Sequence, residues 1–332
     1  MKKTAGIIAF ALVAAVIAFF AFTGQEKETT FTAMDTVVTL KLRGIGAGKQ
    51  LDEIKAFVSD YSDNVISRHS SSSRISSVNS KGSGRLDDDL SADFDLLYSV
   101  YRDSGGAFDF TLGALSDLWG IGTSRAAVPS AEDIQQVLSC CGAGKIDYKN
   151  GEIKLPEGAV LDLGAAGKGM ALDKISGLLS ANRKINRGVI SLGGSILLYG
   201  KKSETFTIGI QDPAKKNNNA VVLELGPCLV STSGSYERYF EKDGIRYHHI
   251  FDPTTGYPAE SGLLSVTVVS QDSGLLSDAL STACFVLGAE KGMELARKYN
   301  CEALFIDENG NITVSDNLRE KIEIVDSAFT LR

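Results

Sequence analysis

The chain has 332 residues, of which 43% are hydrophobic and 23% are charged, an ordinary composition for a folded protein. Its formal net charge is −7. Because no basic stripe is present to neutralise phosphates, the sequence argues against a nucleic-acid partner.

The first segment is the only one that departs from a globular composition. Two lysines follow Met1, and no charged residue occurs from Ala5 to Gly24. That length matches the roughly 20 residues that a membrane-spanning helix needs, and the lysines place its N-terminal end in the cytoplasm. A cleavable signal peptide is the alternative, but its apolar region is shorter and ends in a small-x-small site. We therefore predict a single-pass cell-membrane anchor over residues 1–27, followed by an extracytoplasmic domain over residues 28–332.

Beyond the anchor, strands and helices mix without a βαβ rhythm. Apolar residues that repeat by three and four predict helices from Leu51 to Val65 and from Leu90 to Tyr101, and Ser130 is a predicted helix cap. Alternating or continuous apolar runs predict strands at Phe31–Leu42, Val189–Leu192, Ile196–Tyr199, Phe206–Ile210, Val221–Leu225, Leu229–Ser231, Arg246–Phe251, Leu264–Ser270, Ala303–Ile306 and Ile312–Val314. Adjacent strands with helices grouped between them indicate an α+β fold with antiparallel sheets and packed helices.

One stretch, Ser67 to Gly84, holds nine serines and almost no large apolar residue. A flexible loop is the default prediction for such a composition. A mobile lid or a loop that contacts a ligand is the alternative.

The clearest glycine-rich segment runs from Asp162 to Gly169, between a predicted strand at Val160–Leu163 and a predicted helix at Met170–Leu179. Small residues let the backbone approach a ligand, and a helix N-terminus offers free N–H groups to an anion. Lys168 adds a positive charge. The spacing matches neither a P-loop nor a dinucleotide-binding fingerprint. A phosphate site and a simple tight turn are equally compatible with it.

Asp278 and Thr282 lie one turn apart on one face of an apolar helix predicted from Leu276 to Leu287. A carboxylate and a hydroxyl held in this way are hard oxygen ligands, which suit Mg²⁺ better than zinc or copper. The structural alternative is that the helix dipole stabilises the Asp278 carboxylate near the helix N-terminus, and that the Thr282 hydroxyl donates to a backbone carbonyl of the same helix.

Two further segments contain aromatic or titratable side chains. The only tryptophan, Trp119, is predicted in a loop beside glycines, where it stacks on a planar ligand or, more commonly, fills a core. His248 and His249 alternate along a predicted strand and so point to opposite faces. They are therefore no paired metal site, although one of them can serve as a base or contact a ligand.

Taken in order, these segments resemble the FAD:protein FMN transferases of the ApbE family. The resemblance spans about Phe31 to Ile324 and rests on Met34, Gly105–Asp109, Asp162–Gly169, Thr232–Gly234, His249–Gly256 and Ser277–Ala283. It implies one large T-fold-like domain after the transmembrane helix. It also implies an enzyme that splits FAD with Mg²⁺, attaches FMN through a phosphoester to a threonine of an acceptor protein, and releases AMP.

The resemblance also assigns residues. Mg²⁺ would be held by Asp278, Thr282, Ser281 and the backbone carbonyl of Ala165. FAD would be contacted by Met34, His69, Ala107, Phe108, Asp109, Asp162, Lys168 and His249. His69 stands where the family often has an aromatic residue, so the serine-rich stretch becomes a partly ordered wall of the site.

Catalysis then depends on positioning and charge neutralisation. His249 or Asp278 would accept the proton of the acceptor threonine. The implied partners are FAD and an FMN-binding domain or another subunit of a redox membrane complex. Two other hypotheses stay open: a Mg²⁺-dependent FAD pyrophosphatase, and a membrane-tethered flavin-binding protein without turnover.

Overall fold

The computed structural model describes residues 25–215 and 217–332. The apolar run from Ala5 to Gly24, which we predict to be the membrane anchor, lies outside the described residues. Within the described ranges, no helix is both long enough and apolar enough to cross a bilayer. The first described strand begins at Glu26, and the domain boundary between residues 27 and 28 stays a prediction.

The helices begin and end largely where apolar periodicity places them. In chain order, α1 to α8 span Ala47–Tyr61, Arg74–Lys81, Asp88–Asp103, Gly113–Trp119, Ala131–Leu138, Gly167–Ala181, Gly274–Leu287 and Ala289–Lys298. A π-helical turn, Ser62–Ile66, extends α1. Asp87 caps α3 by accepting from the Leu90 N–H, and Ser130 caps α5 by accepting from the Asp133 N–H. The helices predicted around Leu51, Leu90, Ser130, Met170 and Leu276 are confirmed.

The strands form one large sheet and three small ones in the described part of the chain. In chain order, β1 to β17 span Glu26–Ala33, Thr36–Gly44, Ser83–Arg85, Asp147–Lys149, Glu152–Lys154, Ile185–Leu192, Ser195–Tyr199, Phe206–Gln211, Asn219–Leu225, Cys228–Gly234, Tyr239–Lys242, Ile245–His248, Leu263–Ser270, Glu302–Asp307, Asn311–Val314, Ile322–Ile324 and Thr330–Leu331. The large sheet has the order β1-β2-β6-β7-β10-β13-β14-β15-β17. Its neighbouring strands are antiparallel except for the β15–β17 pair. The α+β, antiparallel prediction is confirmed, and the likeness to a T-fold stays a prediction.

The strands β13 and β14 of the large sheet are buried on both faces. Successive residues of β13 and β14 alternate between two hydrophobic clusters. Val268 and Phe305 belong to the cluster that includes residues of α6 and α7, whereas Val269 and Leu304 belong to the cluster that includes the small sheet β16-β9-β8. This is the side-chain period of two expected of a strand. It explains why these strands appear in the sequence as continuous apolar runs.

The segment Phe31–Leu42, predicted as one strand, is a hairpin. β1 and β2 pair from Glu26–Arg43 to Ala33–Thr36, and Met34 and Asp35 form the turn at φ 52° and 55°. Two-residue hairpin turns with both φ values positive match the twist of the strands. The single-strand prediction was wrong because neither turn residue is glycine or asparagine. Met34, a bulky residue in the left-handed region, is a strained position of the kind found at functional sites.

The serine-rich stretch is not a flexible loop. It contains α2 and the first two residues of β3, and its two aliphatic residues, Ile75 and Val78, are 0% and 4% exposed in the main core. Ser73 donates to the Val65 carbonyl at 2.8 Å. The loop prediction was wrong because two apolar residues three apart suffice to anchor a short helix.

Two local predictions also need correction. Val160–Leu163 is not a strand, since of these residues only Val160 forms an isolated bridge, with Leu112. Trp119 does not lie in a loop, because it ends α4. It is fully buried and donates from Nε1 to the Gly256 carbonyl at 2.9 Å. The ring packs in an aromatic cluster with Phe240, Tyr247, Phe251 and Tyr257, so the core interpretation of this residue is confirmed.

Candidate active site

Helices α6 and α7 touch at a pair of glycines. A Cβ atom built on Gly169 would lie 2.0 Å from the Gly274 carbonyl oxygen, and one built on Gly274 would lie 2.5 Å from the Gly169 carbonyl oxygen. No side chain fits at either position. The contact needs glycine for close approach of two backbones, and it brings the first turns of both helices together.

Each helix supplies a carboxylate to the N-terminal end of the other. Asp278 of α7 accepts from the Gly169 N–H of α6 through Oδ2 at 3.0 Å. In return, Asp173 of α6 accepts from the N–H groups of Gly274 and Leu275 at 2.5 and 3.0 Å. Carboxylates at helix N-termini pair with unsatisfied N–H groups and with the positive end of the helix dipole.

Asp278 is a buried carboxylate with partners on two other elements. It is 3% exposed, and its Oδ1 accepts from the Ser195 hydroxyl at 3.0 Å. The Lys168 ammonium lies 3.5 Å from Oδ2. Two elements, α6 and β7, therefore hold the carboxylate that α7 carries, and its positive neighbour comes from the glycine-rich segment.

The hydroxyls of Ser281 and Thr282 lie one turn further along α7. Ser281 is fully buried, donates to the Asp278 carbonyl at 2.8 Å and lies 2.8 Å from the Ser233 hydroxyl. The Thr282 hydroxyl lies 3.1 Å from the Ser233 hydroxyl, and its bond to the Asp278 carbonyl is longer, at 3.5 Å. Thr282 is half-buried, so its hydroxyl is the more available of the two.

The glycine-rich segment forms the turn that enters α6. Its Lys168 ammonium lies 3.5 Å from both the Gly164 carbonyl oxygen and Asp278 Oδ2. Gly164 is exposed and Ala165 is half-buried. The turn that contains Ala165 therefore lies beside Asp278, as the predicted metal site requires.

Asp162, a predicted FAD contact, is already held by protein groups. Its Oδ1 accepts from the Gly164 N–H at 2.8 Å, and its Oδ2 is 3.0 Å from Arg68 Nε. Arg68 also contacts Asp117 at 2.8 Å. The pair attaches the serine-rich stretch, including the exposed His69, to the glycine-rich turn. Direct contact of Asp162 with FAD stays a prediction.

The segment Ala107–Asp109 lies next to the same turn, since the Asp162 N–H donates to the Phe110 carbonyl at 2.8 Å. Phe108 is only 1% exposed, so its ring belongs to the core. Asp109 accepts from the Thr111 N–H and hydroxyl at 2.9 and 2.7 Å, and burial raises its pKa. Ala107 and Asp109 are both half-buried, but the Asp109 carboxylate is already engaged by Thr111.

Met34 is brought to the start of α6 by the β1–β2 turn. A Cβ atom built on Gly167 would lie 2.8 Å from Ile66 Cδ1 and 4.0 Å from Met34 Cε. Met34 is half-buried against the main core. An apolar side chain over the glycine-rich turn is suited to contact a planar ring system.

The two histidines separate as alternation predicts. His248 is buried, and its Nε2 lies 3.2 Å from the Ala259 carbonyl. His249 Nδ1 lies 3.2 Å from the Arg238 carbonyl. Because a carbonyl accepts only, Nδ1 carries the proton and Nε2 remains an acceptor. Burial, the Arg238 guanidinium and, more weakly, the Lys168 ammonium lower the pKa of His249 to about 4, so the imidazole is neutral at pH 7.

The donor set at the helix crossing fits a magnesium ion better than a softer metal. All the candidate donors are oxygens: one carboxylate, two hydroxyls and a backbone carbonyl. Among the described residues, no group of three or more His, Cys, Asp or Glu side chains could hold a metal. A site with a single carboxylate suits Mg²⁺, which keeps several waters and binds substrate phosphates.

Several residues of the site are not evident from the sequence. Ser195 and Arg68 contact the predicted site residues Asp278 and Asp162 but stand far from them in the chain. Asp173 contacts the start of α7, the helix that carries Asp278. Ser195 follows the glycine pair Gly193-Gly194, which joins β6 to β7, and that pair is the one local signal. Asp173 follows Gly169 by four residues, as Asp278 follows Gly274, a parallel visible only once the helices are paired.

Comparisons with known proteins agree with this architecture. The ApbE family model matches residues 34–305. The FAD:protein FMN transferase of Treponema pallidum is 35% identical over an alignment of 290 residues, and the match covers 80% of this chain and 80% of that protein. The chain therefore belongs to the ApbE family, and the family prediction is confirmed.

Solved structures give the same result for the fold. The ApbE protein of Thermotoga maritima superposes with a TM-score of 0.82 at 29% identity, covering 90% of this chain and 99% of that one. The apo form of the flavinyl transferase ApbE of Pseudomonas stutzeri gives a TM-score of 0.77 at 30% identity, covering 90% and 96%.

Proposed function

We propose that this chain is a Mg²⁺-dependent FAD:protein FMN transferase that modifies a threonine of an extracytoplasmic acceptor protein while anchored in the cell membrane. The observation that carries the proposal is the helix crossing, where Asp278, Lys168 and the glycine-rich turn come together. The names of the relatives support the reaction class, and the apolar run at the N-terminus supports the anchor.

The helix crossing provides charges of both signs for a diphosphate. Lys168 and the N-terminus of α6 would bind the phosphate oxygens of FAD, since an ammonium group, backbone N–H groups and the helix dipole all attract anions. Asp278, Thr282, the Ala165 carbonyl and, less directly, Ser281 would hold the magnesium ion. When bound, that ion would polarise the diphosphate and stabilise charge on the departing AMP oxygen.

The transfer step exchanges one phosphorus–oxygen bond for another. The threonine hydroxyl oxygen of the acceptor attacks the phosphorus on the FMN side, and the bond from that phosphorus to the bridging oxygen breaks. AMP leaves with the bridging oxygen. Positioning of the two oxygens in line is the main requirement for such a reaction.

His249 is the better of the two candidate bases. Both carboxylate oxygens of Asp278 already accept hydrogen bonds, and Lys168 neutralises its charge. His249 is neutral at pH 7 with Nε2 as an acceptor. We therefore assign the proton of the acceptor threonine to His249 Nε2.

Mass spectrometry of the acceptor tests the function. The full-length chain in detergent is incubated with FAD, Mg²⁺ and a purified FMN-binding domain from a redox membrane complex, and AMP is measured by chromatography. A gain of one FMN on the acceptor, lost with its threonine changed to alanine or with Mg²⁺ chelated, supports the transferase. Stoichiometric free FMN and AMP without labelled acceptor would favour the pyrophosphatase, and intact FAD would favour a flavin-binding protein.

A further inference from the structure

Asp173 has three hydrogen-bond donors, all from the first residues of α7. The Gly274 and Leu275 N–H groups donate to it at 2.5 and 3.0 Å, and the Ser273 hydroxyl donates to it at 3.0 Å. Ser273 is also the cap of α7, accepting from the Leu276 N–H. The carboxylate therefore binds the beginning of the helix that carries the candidate metal ligands.

The helix crossing has a carboxylate brace on each side of its glycine contact. On one side Asp278 accepts from Gly169, and on the other Asp173 accepts from Gly274. In the first pair α7 carries the carboxylate and α6 the N–H group, and in the second pair the roles are reversed. Together the two pairs fix both the position and the rotation of α7 against α6. A slide of one residue along a helix is about 1.5 Å, enough to break both braces.

At the glycine contact, the backbones of α6 and α7 are packed without free space between the two carboxylate pairs. The space for a Cβ atom is filled at Gly169 and at Gly274. Loss of the Asp173 brace would free the start of α7 to move relative to the Gly169 N–H. That movement would change the distance from Asp278 to Lys168 and to the turn containing Ala165.

We infer that Asp173 is a positioning residue for the metal and FAD site, acting through α7 rather than by touching substrate. The inference rests on the proposed function, because it concerns the affinity of that site for a divalent cation. Groups that orient metal ligands without binding the metal typically change its affinity 10- to 100-fold when they are removed.

The test measures the affinity of the full-length Asp173→Asn variant for Mn²⁺. Electron paramagnetic resonance monitors the binding, with FAD present. Asparagine keeps the size of the side chain but presents an amide to donors that need an acceptor. We expect Mn²⁺ affinity to fall about 10- to 100-fold, in line with that range. In turnover, the apparent constant for Mg²⁺ should rise by a similar factor, while kcat at saturating Mg²⁺ changes about threefold or less.

The matched control is Asp87→Asn, which removes the charge from another helix-capping aspartate. Asp87 accepts from the Leu90 N–H at the start of α3. Loss of this cap should lower stability as the Asp173 change does, but it should leave Mn²⁺ affinity within about twofold. A purely structural role for Asp173 predicts that both variants behave alike.

A milder change covers the case in which Asp173→Asn fails to fold. Ser273→Ala removes one donor to Asp173 and should weaken Mn²⁺ binding about threefold. Unchanged Mn²⁺ affinity in folded Asp173→Asn, or in Ser273→Ala when the first variant does not fold, would overturn the role of Asp173. If instead the parent chain binds no Mn²⁺, or Asp278→Ala binds it as tightly as the parent, the metal assignment itself is overturned and this inference with it.

Discussion

The helix crossing and the aromatic cluster hold their side chains in different ways. At the crossing, the carboxylates and hydroxyls are held by individual hydrogen bonds, and the two glycines let the backbones approach. In the aromatic cluster, Trp119 is fixed by broad apolar contact and a single hydrogen bond. Changes at the crossing should therefore affect chemistry most, and changes in the cluster should affect stability most.

The largest effect is expected for Asp278→Ala. It removes the only carboxylate among the proposed metal ligands, so FAD cleavage with Mg²⁺ should fall about 10³-fold or more. The Gly169 N–H and Ser195 hydroxyl lose their acceptor, at a cost of about 1–3 kcal/mol each in stability. Chromatography of AMP measures the rate, and circular dichroism checks the fold.

Asp272→Ala is the control for that variant, because Asp272 is exposed and lies just before α7. Its turnover should equal that of the parent. Turnover of Asp278→Ala within tenfold of the parent would refute the role given to Asp278.

Trp119→Ala should have the opposite profile. Removing a fully buried indole costs about 3–5 kcal/mol of unfolding free energy. Folded protein at low temperature should keep kcat within about threefold, because the side chain fills a core. Urea denaturation measures the loss. The control is Tyr239→Ala, because Tyr239 is 42% exposed on the β11–β12 hairpin that carries Phe240 and Tyr247. A loss under about 1 kcal/mol would contradict the packing described.

Lys168→Ala should have an intermediate effect on binding. One charge-assisted contact to a phosphate is worth about 1.5–3 kcal/mol, or about 10- to 100-fold in FAD affinity. Quenching of flavin fluorescence reports the affinity without turnover. The control is Lys201→Ala, which removes an exposed lysine beyond β7 and should leave the affinity for FAD unchanged. Equal affinity in both variants would reduce the glycine-rich segment to a structural turn.

The smallest effect is a shift in pH dependence. With the pKa of His249 lowered to about 4, kcat/KM for FAD transfer should stay flat from pH 7.5 down to about pH 5 and fall only below that. A histidine with an ordinary pKa would halve the rate near pH 6.5. In His249→Gln, the fall in kcat/KM at low pH should disappear. A parent profile in which kcat/KM falls with a midpoint near pH 6.5 would argue against His249 as the base.

The same shift has a consequence for stability. The folded state disfavours the protonated imidazole, so between about pH 4 and pH 6.5 the unfolded chain binds more protons. This contribution is complete above pH 6.5 and is lost as the pH falls toward 4. Comparing the parent with His249→Gln across this range isolates it from the other titrating groups.

Local patterns account for most of the fold that was predicted. Buried residues three and four apart defined α1 and α3, and the continuous apolar runs of β13 and β14 marked strands covered on both faces. The patterns failed where local chemistry was unusual. The Met34–Asp35 turn lacks glycine, and α2 is a serine-rich helix held by only two aliphatic residues.

For the site, the sequence by itself determined that Asp278, Ser281 and Thr282 lie within one turn of a helix, and that Lys168 belongs to a glycine-rich segment at the start of another helix. Only the tertiary structure decided that these two helices touch. Asp278 and Gly169 are 109 residues apart, and Asp173 and Gly274 are 101 apart. Such pairs depend on the order of strands in the sheet and on two backbones fitting without side chains, and neither condition leaves a periodic signal in the chain.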